Sequence, residues 1–88
     1  MLRITAIPQP GSVTLKLEGK LFEPWCEELR RACENAHKLA GTVRLDLFDL
    51  SFIDRTGAEL VRSLIARGFT ISRCSNFVAE LLNEPEQV

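Results

Sequence analysis

This chain of 88 residues has no tyrosine and a single histidine, His37. A serine or cysteine nucleophile needs a base beside it. The sequence also lacks the Gly-x-Ser-x-Gly elbow of hydrolases and the Gly-x-x-x-x-Gly-Lys loop that binds phosphates. These absences predict that the protein is not an enzyme. The alternative left open is an enzyme that uses Cys26 or Cys74 as a reactive thiol.

The chain has no excess of positive charge, because 11 Lys and Arg residues are offset by 12 Asp and Glu residues, and no block of basic residues occurs. This balance disfavours nucleic-acid binding, which needs concentrated positive charge. No apolar run approaches the roughly 18 residues that a membrane span needs. The first residues alternate between polar and apolar types and form no signal-peptide core. We therefore expect one cytoplasmic domain over residues 1–88, without direct membrane insertion.

The three cysteines, Cys26, Cys33 and Cys74, are few and odd in number, so we expect them to be reduced. Cys26, Cys33 and His37 share one stripe of a predicted helix. Seven helical residues rise about 10.5 Å, so Cys26 and Cys33 are too far apart to bind one metal ion. Cys33 and His37 could supply two ligands, but no third or fourth ligand is evident. We expect no metal and no other cofactor.

Asp46, Asp49 and Asp54 cluster near the end of the third predicted strand. Paired carboxylates there could bind a metal or act as an acid–base pair. We favour a strand aspartate, a turn former and a helix cap instead, because aspartate is common in turns and at helix starts.

Hydrophobic spacing predicts strands that alternate with helices. The strands are expected at residues 2–7, 13–18, 43–48 and 69–73, and the helices at residues 24–40, at residues 57–67 and from Ser75 to a stop at Glu84-Pro85. The short turn at residues 8–11 makes the first two strands antiparallel. The two strand–helix–strand units make the other strands parallel, with right-handed crossovers. The predicted class is α/β, with the order ββαβαβα and a four-stranded mixed sheet covered by helices.

The same spacing assigns particular residues to the core and to the helix starts. The buried positions are expected at Trp25, Leu29, Ala32, Ala36 and Leu39 in the first helix, at Leu60, Val61, Leu64 and Ile65 in the second, and at Phe77, Val78, Leu81 and Leu82 in the third. Thr56 and Glu59 fit a capping box, with Asp54 as a competing cap. Phe22 is either a hydrophobic staple or an exposed anchor for a partner.

Residues 43–58, VRLDLFDLSFIDRTGA, resemble the signature of STAS domains. In that family a strand ends in Leu-Asp-Leu, and after a short apolar turn Asp-Ser-Ser/Thr-Gly opens a helix. Residues 17–21, LEGKL, are similar to the family's Leu-x-Gly-x-Leu, and residues 78–82 are similar to its closing helix. The resemblance covers nearly the whole chain and implies a STAS-like fold. The family includes anti-sigma factor antagonists and the cytoplasmic tails of sulphate transporters.

The resemblance implies signalling by partner switching in transcription regulation. An antagonist of this kind binds an anti-sigma factor, often a serine kinase, and so frees a sigma factor. The kinase phosphorylates the residue after the motif's aspartate, but here that residue is Arg55, which has no hydroxyl. Phe22 stands where many members that switch carry an acid. The implied function is a non-enzymatic protein-binding module without the usual phosphoserine switch.

The residues expected to bind the partner are Asp54, Arg55, Thr56 and Gly57, with Thr56 as a candidate phosphorylation site. Arg62 is either a charged contact at the same surface or a solvated charge. The partner is an anti-sigma factor or a serine kinase. The alternative is an accessory subunit of a lipid ABC transport complex that binds its ATPase. A homodimer is also left open.

Overall fold

The computed structural model describes residues 1–83 and has the predicted order ββαβαβα. The elements are β1 (Leu2–Gln9), β2 (Ser12–Leu21), α1 (Glu23–Leu39), β3 (Thr42–Ile53), α2 (Arg55–Ala66), β4 (Thr70–Cys74) and α3 (Asn76–Asn83). The four strands form one sheet in the order β1-β2-β3-β4, with β1 antiparallel to β2 and the other pairs parallel. The predicted fold class is therefore confirmed. The predicted helix stop at Glu84-Pro85 lies outside the described residues.

The helices lie on one face of the sheet. The crossovers β2-α1-β3 and β3-α2-β4 advance across the sheet in the same direction, and right-handed connections then place both helices on the same side. α1 packs on β1, β2 and β3, α2 packs on β3, and α3 packs on α2 and β3. The opposite side, referred to below as the open face, carries the residues that alternate with the buried ones along each strand.

The core lies between the sheet and the helices. Its fully buried residues come from β2, β3 and all three helices: Leu15, Leu17, Leu21, Leu29, Cys33, Leu45, Leu47, Val61, Leu64 and Val78. Val43, Leu45 and Leu47 share the buried face of β3 as predicted. Ser75 begins α3 as predicted, because its Oγ accepts a hydrogen bond from the amide of Val78 at 3.2 Å.

The buried stripe of α1 is rotated from the predicted one. Cys26 and Cys33 are buried together with Leu29 and Ala36, whereas Leu39 is 84% exposed. Trp25 and Ala32 are half-buried at the edge of the core. The prediction placed Trp25 and Leu39 in the buried stripe and the cysteines at the edge of the core, whereas the cysteines lie inside the core, because a reduced cysteine packs as a small hydrophobic residue. Ile65 of α2 and Phe77 of α3, also predicted as buried, are 42% and 52% exposed, and Leu81 and Leu82 are half-buried.

Strand β3 continues to Ile53, beyond the predicted end at residue 48. Its register with β2 shifts twice, between Lys16 and Glu18 and between Gly19 and Lys20. Each bulge inserts an extra residue into the strand, so the alternation of buried and exposed positions breaks after Leu47. A search for strict alternation therefore ends the strand too early.

Candidate functional site

Strands β2 and β3 end side by side, and α1 and α2 begin at the same place. Leu21 pairs with Ile53 at these strand ends. The amide of Asp54 then donates a hydrogen bond to the carbonyl oxygen of Leu21 at 3.1 Å. The carboxyl ends of neighbouring parallel strands are a common location for binding sites in α/β folds. This edge of the sheet brings together the sequence-predicted residues 54–57.

The Asp54 carboxylate accepts a hydrogen bond from the start of each helix. Its Oδ1 accepts from the amide of Gly57 at 2.7 Å, as an N-cap of α2, and its Oδ2 accepts from the amide of Glu23 at 3.1 Å. The capping residue of α1 is Phe22, which has no side-chain acceptor, so Asp54 serves both helices. The sequence carries one sign of this arrangement. Phe22 stands at the start of α1, where a capping Ser, Thr, Asp or Asn is usual, so the cap has to come from elsewhere in the chain.

The competing interpretation of Asp54 as the cap of α2 is confirmed, and the capping box at Thr56 was wrong. Asp54 has the extended backbone of a capping residue, with φ −94° and ψ −178°. Helix α2 begins at Arg55, so Thr56 already lies inside the first turn. A capping side chain must precede the helical residues to reach the free amides.

Gly57 allows α2 to begin close to the end of β2. A Cβ atom at this position would lie 2.8 Å from the carbonyl oxygen of Leu21 and 3.1 Å from Cγ1 of Ile53. The backbone oxygen cannot move away without breaking the bond that it accepts from Asp54. Gly57 is itself buried. It therefore positions the helix and presents no surface to a partner.

Arg55 and Thr56 are exposed on the first turn of α2. Within residues 1–83, neither side chain makes a hydrogen bond or an ion pair. Because Asp54 already caps the helix, the Thr56 hydroxyl is left accessible. These two side chains are the exposed members of the sequence-predicted site.

Two aromatic rings lie near this helix start. The rings of Phe22 and Phe52 meet edge to face, with centroids 6.5 Å apart and an angle of 68°. Phe22 is half-buried and Phe52 is 42% exposed. Phe22 occupies the capping position of α1 instead of the position before it, so its ring is not placed as a hydrophobic staple. We refer to Phe22, Phe52, Arg55 and Thr56 as the helix-start surface.

Sequence reasoning missed Phe52, because the predicted third strand ends at residue 48. In the structure Phe52 ends a bulged part of β3 and pairs with Lys20. The bulge leaves Ser51 unpaired, and its hydroxyl donates to the carbonyl oxygen of Gly19 at 3.1 Å. The position of Phe52 beside Phe22 thus depends on strand pairing and not on local sequence.

The thiol of Cys26 lies behind the helix-start surface. It is buried and donates a weak hydrogen bond to the carbonyl oxygen of Phe22 at 3.7 Å. Burial, together with the negative charge of Asp54, raises the pKa of the Cys26 thiol. Burial also raises the pKa of Cys33 to about 11, and it raises the pKa of Cys74. A reactive thiol needs a lowered pKa, so these environments disfavour a cysteine nucleophile.

The residues considered for metal binding differ in their exposure. Cys33 is buried, whereas His37 is exposed and its ring centroid lies 5.9 Å from that of Phe69. In the part of the chain that the structure describes, no three His, Cys, Asp or Glu residues are grouped so that they could hold a metal ion.

Asp46 and Asp49 lie within β3, away from Asp54. Asp46 accepts hydrogen bonds from Nε and Nη2 of Arg73 at 3.2 and 3.0 Å and from the amide of Phe48 at 3.1 Å. Asp49 pairs with Lys16 at 3.5 Å and is a strand residue, so its assignment to a turn was wrong. Each carboxylate thus has its own local partner.

The surroundings of Asp46 favour its charged form. Burial opposes ionisation, but the hydrogen bonds from Arg73 and from the Phe48 amide outweigh it, and the charges of Arg73 and Lys16 add to them. The pKa of Asp46 therefore lies below its ordinary value. The Arg73 guanidinium also lies 5.0 Å from the ring centroid of Phe48. This cluster is a satisfied network that stabilises the pairing of β3 with β4.

Arg62 is half-buried and connects two helices. Its Nη1 donates to the carbonyl oxygens of Leu81 and Leu82 at 3.4 and 3.1 Å. These carbonyls lie in the last turn of α3, where a cation is favourable. The assignment of Arg62 to a solvated helix face was wrong. Arg62 lies against the end of α3, away from the helix-start surface.

Comparison with protein-family models gives no match, and comparison with curated protein sequences gives no significant match. Across residues 1–83, the helices are either too short or too polar to cross a membrane.

Proposed function

We propose that this chain is a non-enzymatic STAS-type interaction module that binds an anti-sigma factor or a regulatory serine kinase through the helix-start surface. The observation that carries this proposal is the exposure of Arg55 and Thr56 on a helix start fixed by Asp54. Arginine and aromatic side chains are the residue types most enriched among strong contacts between proteins. Such a regulator acts in the cytoplasm.

The rigid backbone around the surface supports a docking role. Asp54 joins the starts of α1 and α2, and Gly57 packs directly on the end of β2. Phe22 and Arg55 therefore lie on backbone that is fixed from two sides. A pre-organised surface loses less conformational entropy on binding than a flexible loop does.

The identity of residue 55 supports binding without a phosphoserine switch. In the antagonists that this sequence resembles, the residue after the aspartate accepts the phosphate, and arginine cannot. Thr56 carries an exposed hydroxyl one residue further on and is the remaining candidate for phosphorylation on the helix-start surface. A phosphate there would add about −1.5 to −2 charges beside Arg55 and change the docking surface. Binding through unmodified Arg55 is constitutive.

The test is affinity capture of the tagged protein from its own cells, with mass spectrometry of both the partner and the bait. Recovery of a serine kinase or of another sigma-factor regulator is the expected result. Recovery of an ABC ATPase with its permease would replace this proposal with the accessory-subunit alternative. The bait spectrum also measures phosphorylation of Thr56, and a stoichiometric phosphate would overturn constitutive binding.

A further inference from the structure

Strand β1 forms one edge of the sheet, and half of its backbone groups face outward. It has eight residues, whereas β4 at the other edge has five. The amide of Lys20 donates to the carbonyl oxygen of Met1 at 2.9 Å. Since bonded pairs alternate in an antiparallel ladder, residues 3, 5 and 7 bond to β2. Leu2, Ile4 and Ala6 then turn their N–H and C=O groups away from the sheet.

These outward groups have no partner among residues 1–83. A long unpaired edge is a template for another strand, and proteins commonly protect such edges with short strands, charges or proline. β4 is protected by its shortness. β1 carries Pro8 close to one end, but the stretch from Leu2 to Ala6 contains no proline, no covering segment and a single charged residue, Arg3.

Apolar side chains flank this edge on both faces. On the helix side, a cavity of about 420 Å³ lies along β1 and α1 and is open to solvent; apolar residues such as Ile4, Ala6 and Leu39 line it, together with the polar Glu28 and Asn35. On the open face, Ile7 is 42% exposed and Met1 next to the strand is 81% exposed, and the polar side chains of Arg3 and Thr5 are exposed between them. The occupant of this edge should therefore be an extended segment that presents apolar side chains to the cavity and a mixture of polar and apolar side chains on the open face.

We propose that the occupant is β1 of a second copy of this chain, paired antiparallel about a two-fold axis at Ile4. In this register Ile4 faces Ile4 of the second copy, and Leu2 faces Ala6 of the second copy. Each of these residues donates one hydrogen bond and accepts one. Pro8, which has no N–H, falls beyond the paired stretch, so its missing donor has no cost. The contact is self-complementary, as a two-fold interface requires.

The exposed side chains favour this register over its neighbours. It sets Met1 opposite Ile7 of the second copy on the open face, so two exposed apolar side chains cover each other. It sets Arg3 opposite Thr5 and avoids a directly opposed pair of arginines. A shift of two residues in one direction would set Pro8 opposite Leu2, where no bond can be donated. The opposite shift would set Arg3 directly opposite Arg3 of the second copy.

The pairing joins two sheets into one continuous sheet and uses no residue of the helix-start surface. It therefore does not depend on the proposed function. The inner side chains of the added strand, Ile4 and Ala6 among them, lie along the open side of the cavity between β1 and α1.

Sedimentation equilibrium of the full chain over a range of concentrations tests the proposal. The wild type is expected to be a dimer. Ala6→Pro removes an outward amide without removing a bond to β2, and it should weaken dimerisation by at least about tenfold while the circular dichroism stays native. Ala6→Val keeps the amide and should remain a dimer. A wild type that is monomeric at every concentration, or a natively folded Ala6→Pro dimer of undiminished affinity, would overturn the proposal.

Cysteine cross-linking tests the register independently, including the case in which Ala6→Pro does not fold. The background is Cys74→Ser, because Cys26 and Cys33 are buried. Ile4→Cys brings two Cα atoms to about 5.5 Å, which is within disulfide range. Ala6→Cys leaves its two copies about four residues apart along the strands, roughly 13 Å, which is too far. A covalent dimer of Ile4→Cys alone supports the register. Cross-linking of Ala6→Cys alone, or of neither variant, contradicts it.

Discussion

The carboxylate of Asp54 accepts a hydrogen bond from the amide of Glu23, 31 residues earlier in the chain, at 3.1 Å. The other oxygen of the same carboxylate caps α2 through the amide of Gly57. One side chain thus satisfies the free amides of two helices that begin at neighbouring strand ends. Because both helices meet at Asp54, the exposed Arg55 and the Phe22 ring are held in a fixed relation.

Replacement of Asp54 by alanine should destabilise the protein by about 1–3 kcal/mol. Loss of one helix cap typically costs about 1 kcal/mol, and here two helices lose an acceptor. Equilibrium unfolding in urea measures the change. The matched control is Asp49→Ala, which breaks an exposed ion pair with Lys16 and should cost less than about 1 kcal/mol. If both variants unfold at the same urea concentration, the shared cap stabilises the fold no more than the exposed ion pair does.

Replacement of Gly57 by alanine should also destabilise the fold, by about 1–3 kcal/mol, because the new Cβ would lie 2.8 Å from the carbonyl oxygen of Leu21. Gly41→Ala is the control, since a Cβ there meets nothing within 4 Å and the residue has no positive φ. Thermal unfolding of both variants should separate them clearly. A Gly57→Ala protein as stable as Gly41→Ala would show that α2 can move away from β2 without cost.

Charge reversal of Arg55 should weaken binding of the captured partner without unfolding the protein. Arg55 is exposed and makes no contact within residues 1–83 that the fold would lose. We expect Arg55→Glu to raise the Kd by at least about tenfold, or roughly 1.4 kcal/mol, in isothermal titration calorimetry.

Arg44→Glu is the matched control for that experiment. Arg44 is also exposed, but it lies near the other end of β3, on the open face. Its reversal changes the net charge equally and should leave the Kd within about twofold of the wild type. Equal weakening by both variants would indicate long-range attraction in place of a docked arginine, and an unchanged Kd for Arg55→Glu would remove Arg55 from the site.

The contribution of Asp46 to stability should disappear in acid. Its pKa is lower in the folded chain than in the unfolded chain, where it is about 3.9. The folded state therefore binds fewer protons, so this contribution is present above about pH 3.9 and is lost as the pH falls through the folded-state pKa. Urea midpoints of wild type and Arg73→Gln should differ near pH 7 and converge as the pH falls below that range. A difference that is independent of pH would mean that Arg73 acts through the Phe48 ring and not through Asp46.

The thiols should react slowly while the chain is folded. The pKa of Cys33 is raised to about 11 and that of Cys26 is also raised, so little thiolate is present near pH 7, and both side chains are buried. Labelling with a maleimide, followed by mass spectrometry, should modify Cys74 first and the other two only after unfolding. The chain in guanidinium, where all three should label, is the control. Fast labelling of Cys26 in the folded chain would support the alternative of an enzyme with a reactive thiol.

The sequence by itself determined the order of the elements and the parallel part of the sheet. Alternation marked the beginning of each long strand, the turn at residues 8–11 set the antiparallel pair, and strand–helix–strand units allow one hand of crossover. The motif at residues 54–57 placed the start of α2 to within two residues, at residue 57 where the structure has Arg55. These features depend on neighbours in sequence, so a local pattern suffices to predict them.

Tertiary structure decided the features that depend on pairing between distant segments. The bulges carry β3 past residue 48 and place Phe52 beside Phe22, because the register with β2 shifts there. Packing on the sheet selected Cys26 and Cys33 over Trp25 as the buried side of α1. The bond from Glu23 to Asp54 joins two residues that the pairing of β2 with β3 brings together. No local pattern encodes it, since its two ends become neighbours through the sheet and not along the chain.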